Sequence, residues 1–298
     1  MSTIVTPSAF DLARTVCPAG TEIQAPSVRA SAAIGTPTWP FISSRTTEQA
    51  LPGTLVVRPG LDQGLGYEDE VDEGEGEQDR DRDGGLWARV ATDLSGAGTV
   101  ENAIPHPYRQ RTLMDRLLCQ VCAGSPEHDE REGFLFVVPD GPRDRSDARE
   151  DWAERALEAT PPVCRADAEQ SATGCPRLGR ATALWVRRPV LYGVAGIGYR
   201  LRGGTLHPFK TTVPVSYEDP ALAWTVAHQM VRRLKEVTVD WDFTESLRSR
   251  HTAAWPASRR ASLPSAPAAE LPALQGSCPV AAGPAGAYRP ALREGVRS

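Results

Sequence analysis

The chain has 298 residues and a formal net charge of −5, long enough for one large domain or two small ones. Gly and Pro together supply 52 residues and aromatics only 6%, so a good part of the chain cannot belong to a packed core. No run approaches the roughly 18 apolar residues a membrane helix needs, and the opening Met-Ser-Thr-Ile-Val-Thr-Pro has neither the basic end nor the apolar stretch of a secretory signal.

The net charge is a sum of unlike parts. Glu68 to Asp83 holds ten carboxylates against Arg80 and Arg82, so it carries −8 and leaves the remainder near +3. A remainder that mildly basic is a weak attractant for nucleic acid, and a protein partner is the favoured expectation. Lys210 and Lys235 are the only lysines, and Arg with abundant Ala, Gly and Pro reflects a GC-rich genome more than a function. The expected address is cytoplasmic, with no membrane partner. Thiols stay reduced there, and a Cys-x-x-Cys reads as a metal or redox motif.

Residues 1–60 are loosely patterned. Phe10 to Val16 can form a turn or two of helix, and Trp39 to Ile42 and Leu55 to Val57 read as extended segments on or near a core. Residues 61–84 are expected to be an acidic, disordered, self-repelling linker, because carboxylates and glycines cannot bury enough apolar surface to offset backbone entropy. A core over 85–245 should then open with a strand at Leu86 to Ala91. A helix follows over Tyr108 to Leu118, where Leu113, Met114, Leu117 and Leu118 recur at helical spacing. Ser125 to Glu132 reads as a polar turn and Phe134 to Val138 as a buried strand.

Further along, Asp147 to Ala159 reads as a charged helix broken by Pro161-Pro162, and Cys164 to Thr173 as a short helix ended by Gly174. Ala181 to Arg187 and Leu191 to Leu201 read as strands, and Thr211 to Val215 as an edge strand because of its proline. Asp219-Pro220 has the form of an N-cap followed by proline at the first helical position. With Leu222, Val226, Met230 and Leu234 down one face it predicts a helix over 219–235. That helix would carry His228 as a structural histidine and Arg232, Arg233 and Lys235 on a solvated face. Val237 to Trp241 reads as a last strand, and residues 246–298 as a disordered Ala/Pro/Arg-rich tail with seven arginines against two acids.

Four cysteines stand where they can act together. Cys119-Gln-Val-Cys122, followed by Ala123-Gly124, is a knuckle that can aim two sulfurs at one tetrahedral ion. Cys164 opens the short helix, whose free N–H groups favour a thiolate. Knuckle plus helix N-terminus is a treble-clef arrangement, so the expected fold is α+β, a small mixed sheet with several helices around a zinc knuckle. The fourth ligand is open: Cys175 is the chemically safest, Asp167 lies three residues after Cys164, and His128 is six residues after Cys122. Structural zinc is the expected cofactor. The bland alternative is a set of reduced core thiols. A dithiol redox site is disfavoured because the pair follows a helix instead of opening one. Cys17 and Cys278 stand apart. Gly193-x-x-Gly196-x-Gly198 runs on into strand and is not a dinucleotide loop.

Leu118-Cys-Gln-Val-Cys122, Pro161-Pro-Val-Cys164 and Cys175-Pro-Arg-Leu178, with His106-Pro-Tyr-Arg-Gln-Arg111 upstream, resemble a group of actinobacterial proteins with no established activity. The resemblance implies zinc-type folding and a Cys or His three residues after the Pro-Pro-x-Cys cysteine, where this chain has Asp167. Cys-Gln-Val-Cys is also similar to the opening knuckle of HNH endonucleases. Those need an Asp-His pair and further Asn and His residues, whereas His128-Asp129 has the order reversed. The expectation is therefore a non-enzymatic, zinc-stabilised binding or regulatory module, with a divergent HNH-type nuclease as the alternative.

Overall fold

Two long antiparallel strands organise the larger sheet, while two further strand pairs form small sheets of their own. The computed structural model describes residues 40–58, 63–70, 79–93, 97–139, 141–142, 144–146, 152–176, 178–211 and 213–256. Its elements in chain order are β1 (Ser43–Arg45), β2 (Leu55–Arg58), β3 (Gly64–Tyr67), β4 (Leu86–Trp87), β5 (Val100–Pro105), α1 (Pro107–Arg116), β6 (His128–Asp129), β7 (Gly133–Val138), β8 (Leu157–Glu158), α2 (Arg165–Gly174), β9 (Thr182–Arg202), β10 (Thr205–Lys210), β11 (Val215–Ser216), β12 (Thr225–Val239) and α3 (Trp241–Ala254). This is an α+β architecture. No helix among the described residues is long and apolar enough to cross a membrane.

Strand β9 pairs with β12 from Leu184↔Val239 to Gly198↔Thr225, and the register shifts between Ala227 and Gln229 and between Val231 and Arg232. The outer edges of the pair are shared. At one end β9 takes β7 and then β6; at the other it takes β10 and β11. Along β12, β4 joins in parallel and β8 antiparallel. Helix α1 lies against β12 through Gln110, whose amide donates to Met230 O (2.9 Å) and accepts from Met230 N (2.7 Å). A buried polar side chain that mimics a missing strand in this way satisfies both backbone groups at once.

The helix expected over 219–235 is a correction. Only Pro220–Trp224 turns, as a 3-10 segment that Asp219 caps by accepting from Ala221 N; the rest is β12. Apolar residues every fourth position fit a helix face, but four is also twice the strand period, and Thr225, Val226, Val231, Val237, Thr238 and Val239 are β-branched. Burial on both faces over 225–228 and 230–232 settled the ambiguity in favour of the strand. His228 is therefore a buried strand residue. Arg232 does not face solvent: it is 8% exposed and donates to Met114 O, Asp115 O and Pro189 O.

Other expectations moved as well. The two strands expected over 181–201 are the single β9, which passes through Pro189 without ending. The proline-bearing edge strand is β10, with Pro208, whereas only Val215 of the 211–215 run is in a strand. Residues 152–155 form a turn and Leu157–Glu158 a strand, so the C-terminal half of the helix expected over 147–159 is absent. Of the expected linker, Gly64–Tyr67 is a buried strand paired with β2. Two of its described acids are paired at short range: Glu70 with Arg58 (3.2 Å) and Arg80 (2.6 Å), and Asp79 with Arg89 (2.7 Å). Helix α3 runs to Ala254, beyond residue 245 where the core was expected to end, because Phe243 and Leu247 bury one face of it. The N-terminal helix expected over 10–16, most of the expected tail, Cys17 and Cys278 lie outside the described residues.

Candidate metal centre

The knuckle forms because α1 ends abruptly before it. Leu117 adopts the left-handed conformation (φ 53°), its N–H and that of Leu118 both donate to Leu113 O, and the chain reverses into Cys119. Ala123 is also left-handed (φ 57°), and the turn closes by Cys119 N to Gly124 O (2.8 Å) and Ala123 N to Cys119 O (2.9 Å). Two other strips of chain hold it. Gln120 N donates to Pro162 O (3.0 Å) on one side, and Phe41 N to Val121 O (2.9 Å) and Ile42 N to Gln120 O (3.1 Å) on the other. That second clamp has no sequence signature, since it comes from residues about eighty positions upstream.

Helix α2 supplies the other half. Cys164 is its N-cap residue in extended conformation (φ −79°, ψ 150°), and Val163 N donates to Leu135 O (2.9 Å), which ties the helix start to β7. Beneath lie Val121, Leu135, Val137, Val163, Ala168, Ala172, Phe243 and Leu247 in one buried cluster with Cys119. The ligand atoms of Cys119, Cys122, Cys164 and Asp167 all fall within 4.8 Å of one another, a group that could hold a metal ion. Cys119 is fully buried and the other three are half-buried. Cys119 Sγ lies 4.0 Å from Cys164 Sγ, and the Asp167 carboxylate accepts from both thiols, at 3.2 and 2.9 Å. Cys164 N also donates to Cys119 Sγ (3.4 Å).

All four described cysteines are free thiols. Burial pushes the Cys119 thiol up to about 11. Burial first, and then the hydrogen bond to the Asp167 carboxylate, push Cys122 and Cys164 up to about 12. In the metal-free state the sulfurs are therefore protonated at neutral pH, and a bound ion must displace their protons, so affinity for metal rises with pH.

The structure brings together Cys119, Cys122, Cys164 and Asp167 and leaves out the other two candidates. Cys175 is the C-cap of α2, a full helix length from Cys164. A ten-residue helix places its two ends about 15 Å apart, too far for one shell. His128 is exposed on β6 with its ring against Phe134, 4.6 Å between centroids. Asp167 succeeds for a local reason: residues three apart on a first helical turn point the same way, as in the Cys-x-x-Cys spacing.

No protein-family model, curated protein or solved structure matches the chain.

Proposed function

We propose that the chain is a zinc-stabilised binding or regulatory module that acts through a protein partner. The observation that carries this reading is the convergence within 4.8 Å of three thiols and one carboxylate from two segments far apart in sequence. Zinc bonds thiolate at about 2.3 Å, and a tetrahedral shell then sets sulfurs about 3.8 Å apart, close to the 4.0 Å between Cys119 and Cys164. Three sulfurs favour zinc over magnesium or calcium, which take oxygen shells. Four protein ligands leave no position for a reactive water, the pattern of a structural site.

The succession of knuckle, β6–β7 hairpin and α2 N-terminus supports a treble-clef reading, and with it the resemblance to the actinobacterial group. An HNH-type nuclease would instead need an imidazole base at the metal, and His128, its ring tilted against Phe134, is not among the converging ligand residues.

Two experiments test the proposal. Removal of metal with a chelator should lower the melting temperature sharply, and an unchanged melt would overturn the zinc reading. Plasmid DNA incubated with the protein and magnesium, manganese or zinc should stay supercoiled. Nicking that disappears in His128→Ala would replace the binding module with a nuclease.

A further inference from the structure

Away from the thiol cluster, the β9–β12 ribbon carries a surface bowl of about 310 Å³ bounded by Glu154, Arg155, Arg188, Arg233, Lys235 and Glu236. Four cations face two carboxylates there. Strand register sets Lys235 directly opposite Arg188, with Arg233 two residues along on the same side. Like charges placed directly opposite across an antiparallel pair repel, and a sheet normally avoids them unless something lies between.

The carboxylates offset the charge of the bowl only in part, since Glu236 pairs with Arg188 within it. Glu236 is drawn to Arg188 (3.1 Å) and Arg187 (3.8 Å), and Glu154 accepts from Val237 N (3.2 Å). Among the described residues neither Arg155 nor Lys235 has an ion-pair partner. Arg233 stacks over the Tyr192 ring at 4.4 Å, which holds its guanidinium in place and leaves its N–H edge to bond outward.

The backbone is bent to make this rim. Arg155 (φ 66°) and Glu236 (φ 57°) are two of the four described non-glycine residues in the left-handed region, and both line this one bowl. Arg155 is locked there by donation from its N–H to Leu234 O (2.7 Å), while Ala156 O accepts from Leu234 N (2.9 Å). Backbone strain of this kind persists where surrounding structure enforces it, and it collects at functional sites.

We propose that the bowl is a binding site for a compact, multiply charged oxyanion, the phosphate or diphosphate group of a small molecule. Arginine supplies paired N–H groups that match phosphate oxygens, and Lys235 adds a point charge. The volume exceeds what one phosphate needs and leaves room for a second or for a small organic body.

Isothermal titration of the full chain with pyrophosphate, at ionic strength held constant with sodium chloride, tests the site. Saturable binding at one site per chain is expected, with inorganic phosphate weaker. The double variant Arg155→Gln/Lys235→Gln should bind at least about tenfold more weakly at an unchanged melting temperature. Arg200→Gln, on β9 beside Phe209, should bind as the parent does. Absence of a saturable heat, or equal binding by the double variant, would overturn the assignment. Displacement of pyrophosphate by a much tighter DNA oligonucleotide would overturn it in favour of a nucleic-acid backbone. Should the double variant melt lower, Glu236→Gln decides: loss of a repelling charge from the rim must tighten pyrophosphate, and weaker binding rejects the site.

Discussion

Replacement of Arg109 by methionine tests how the knuckle is held, because this arginine fastens the segment that clamps it. Arg109 Nη1 and Nη2 donate to the two Glu48 oxygens at 2.7 and 2.6 Å, and Nη2 also to Ser43 O at 2.6 Å. Glu48 further accepts from Arg45 N (2.8 Å) and Asp93 N (3.0 Å), and its side chain is fully buried. Burial acts to raise its pKa, but the Arg109 and backbone hydrogen bonds outweigh it and hold the group below 4.5. Without Arg109 only burial and two backbone donors remain.

An unpaired buried carboxylate either stays charged, at about 3–5 kcal/mol, or takes a proton, which for a group of ordinary pKa 4.5 at pH 7 costs about 3.4 kcal/mol. The cheaper route sets the loss near 3–4 kcal/mol at pH 7. At pH 5 protonation costs under about 1 kcal/mol. The sign follows: in the parent the pair stabilises above pH 4.5 and fades below it, so the penalty of Arg109→Met shrinks as pH falls from 7 to 5. Urea unfolding followed by tryptophan fluorescence at both pH values measures it. Replacing both Arg109 and Glu48 by methionine should recover most of the loss. A cost below about 1 kcal/mol at pH 7, or one that does not change with pH, would refute the buried-pair reasoning.

His228 is buried with no partner for Nε2 among the described residues, and desolvation lowers it from 6.5 to about 4. Its contribution is present above pH 6.5 and lost as pH falls toward 4, about 3 kcal/mol in full, so His228→Leu should flatten the acid limb of the stability curve. Gly133, at φ +91°, lies where a Cβ would collide with the Val186 carbonyl. Gly133→Ala should cost more than about 2 kcal/mol, against about 1 for Gly203→Ala, whose Cβ meets open space; equal unfolding midpoints would contradict the close approach. Cys175→Ser should change neither metal content nor stability by more than about 1 kcal/mol, whereas Cys164→Ser should abolish metal binding and unfold the core.

Local signals in the sequence were enough for α1, β7, α2 and the knuckle. Leu113, Met114, Leu117 and Leu118 recur at helical spacing, Phe134 to Val138 has no polar break, and a two-residue cysteine spacer forces a turn. What depended on distant partners was not legible. The 225–239 run has a spacing that suits helix and strand alike, and only its long pairing with β9 selects the strand. The acids of 68–83 look self-repelling until Arg58, Arg80 and Arg89 arrive beside Glu70 and Asp79. Asp167 ranked below Cys175 because sulfur is the commoner zinc ligand, yet helix length removes Cys175 from reach and the first turn of α2 puts Asp167 within it.

The central claim is a metal held by Cys119, Cys122, Cys164 and Asp167. X-ray absorption at the zinc edge, on protein purified without chelator, tests it most directly. About one zinc per chain is expected, with three sulfurs near 2.3 Å and one oxygen near 2.0 Å. Four sulfurs, or protein free of zinc at full thermal stability, would contradict it.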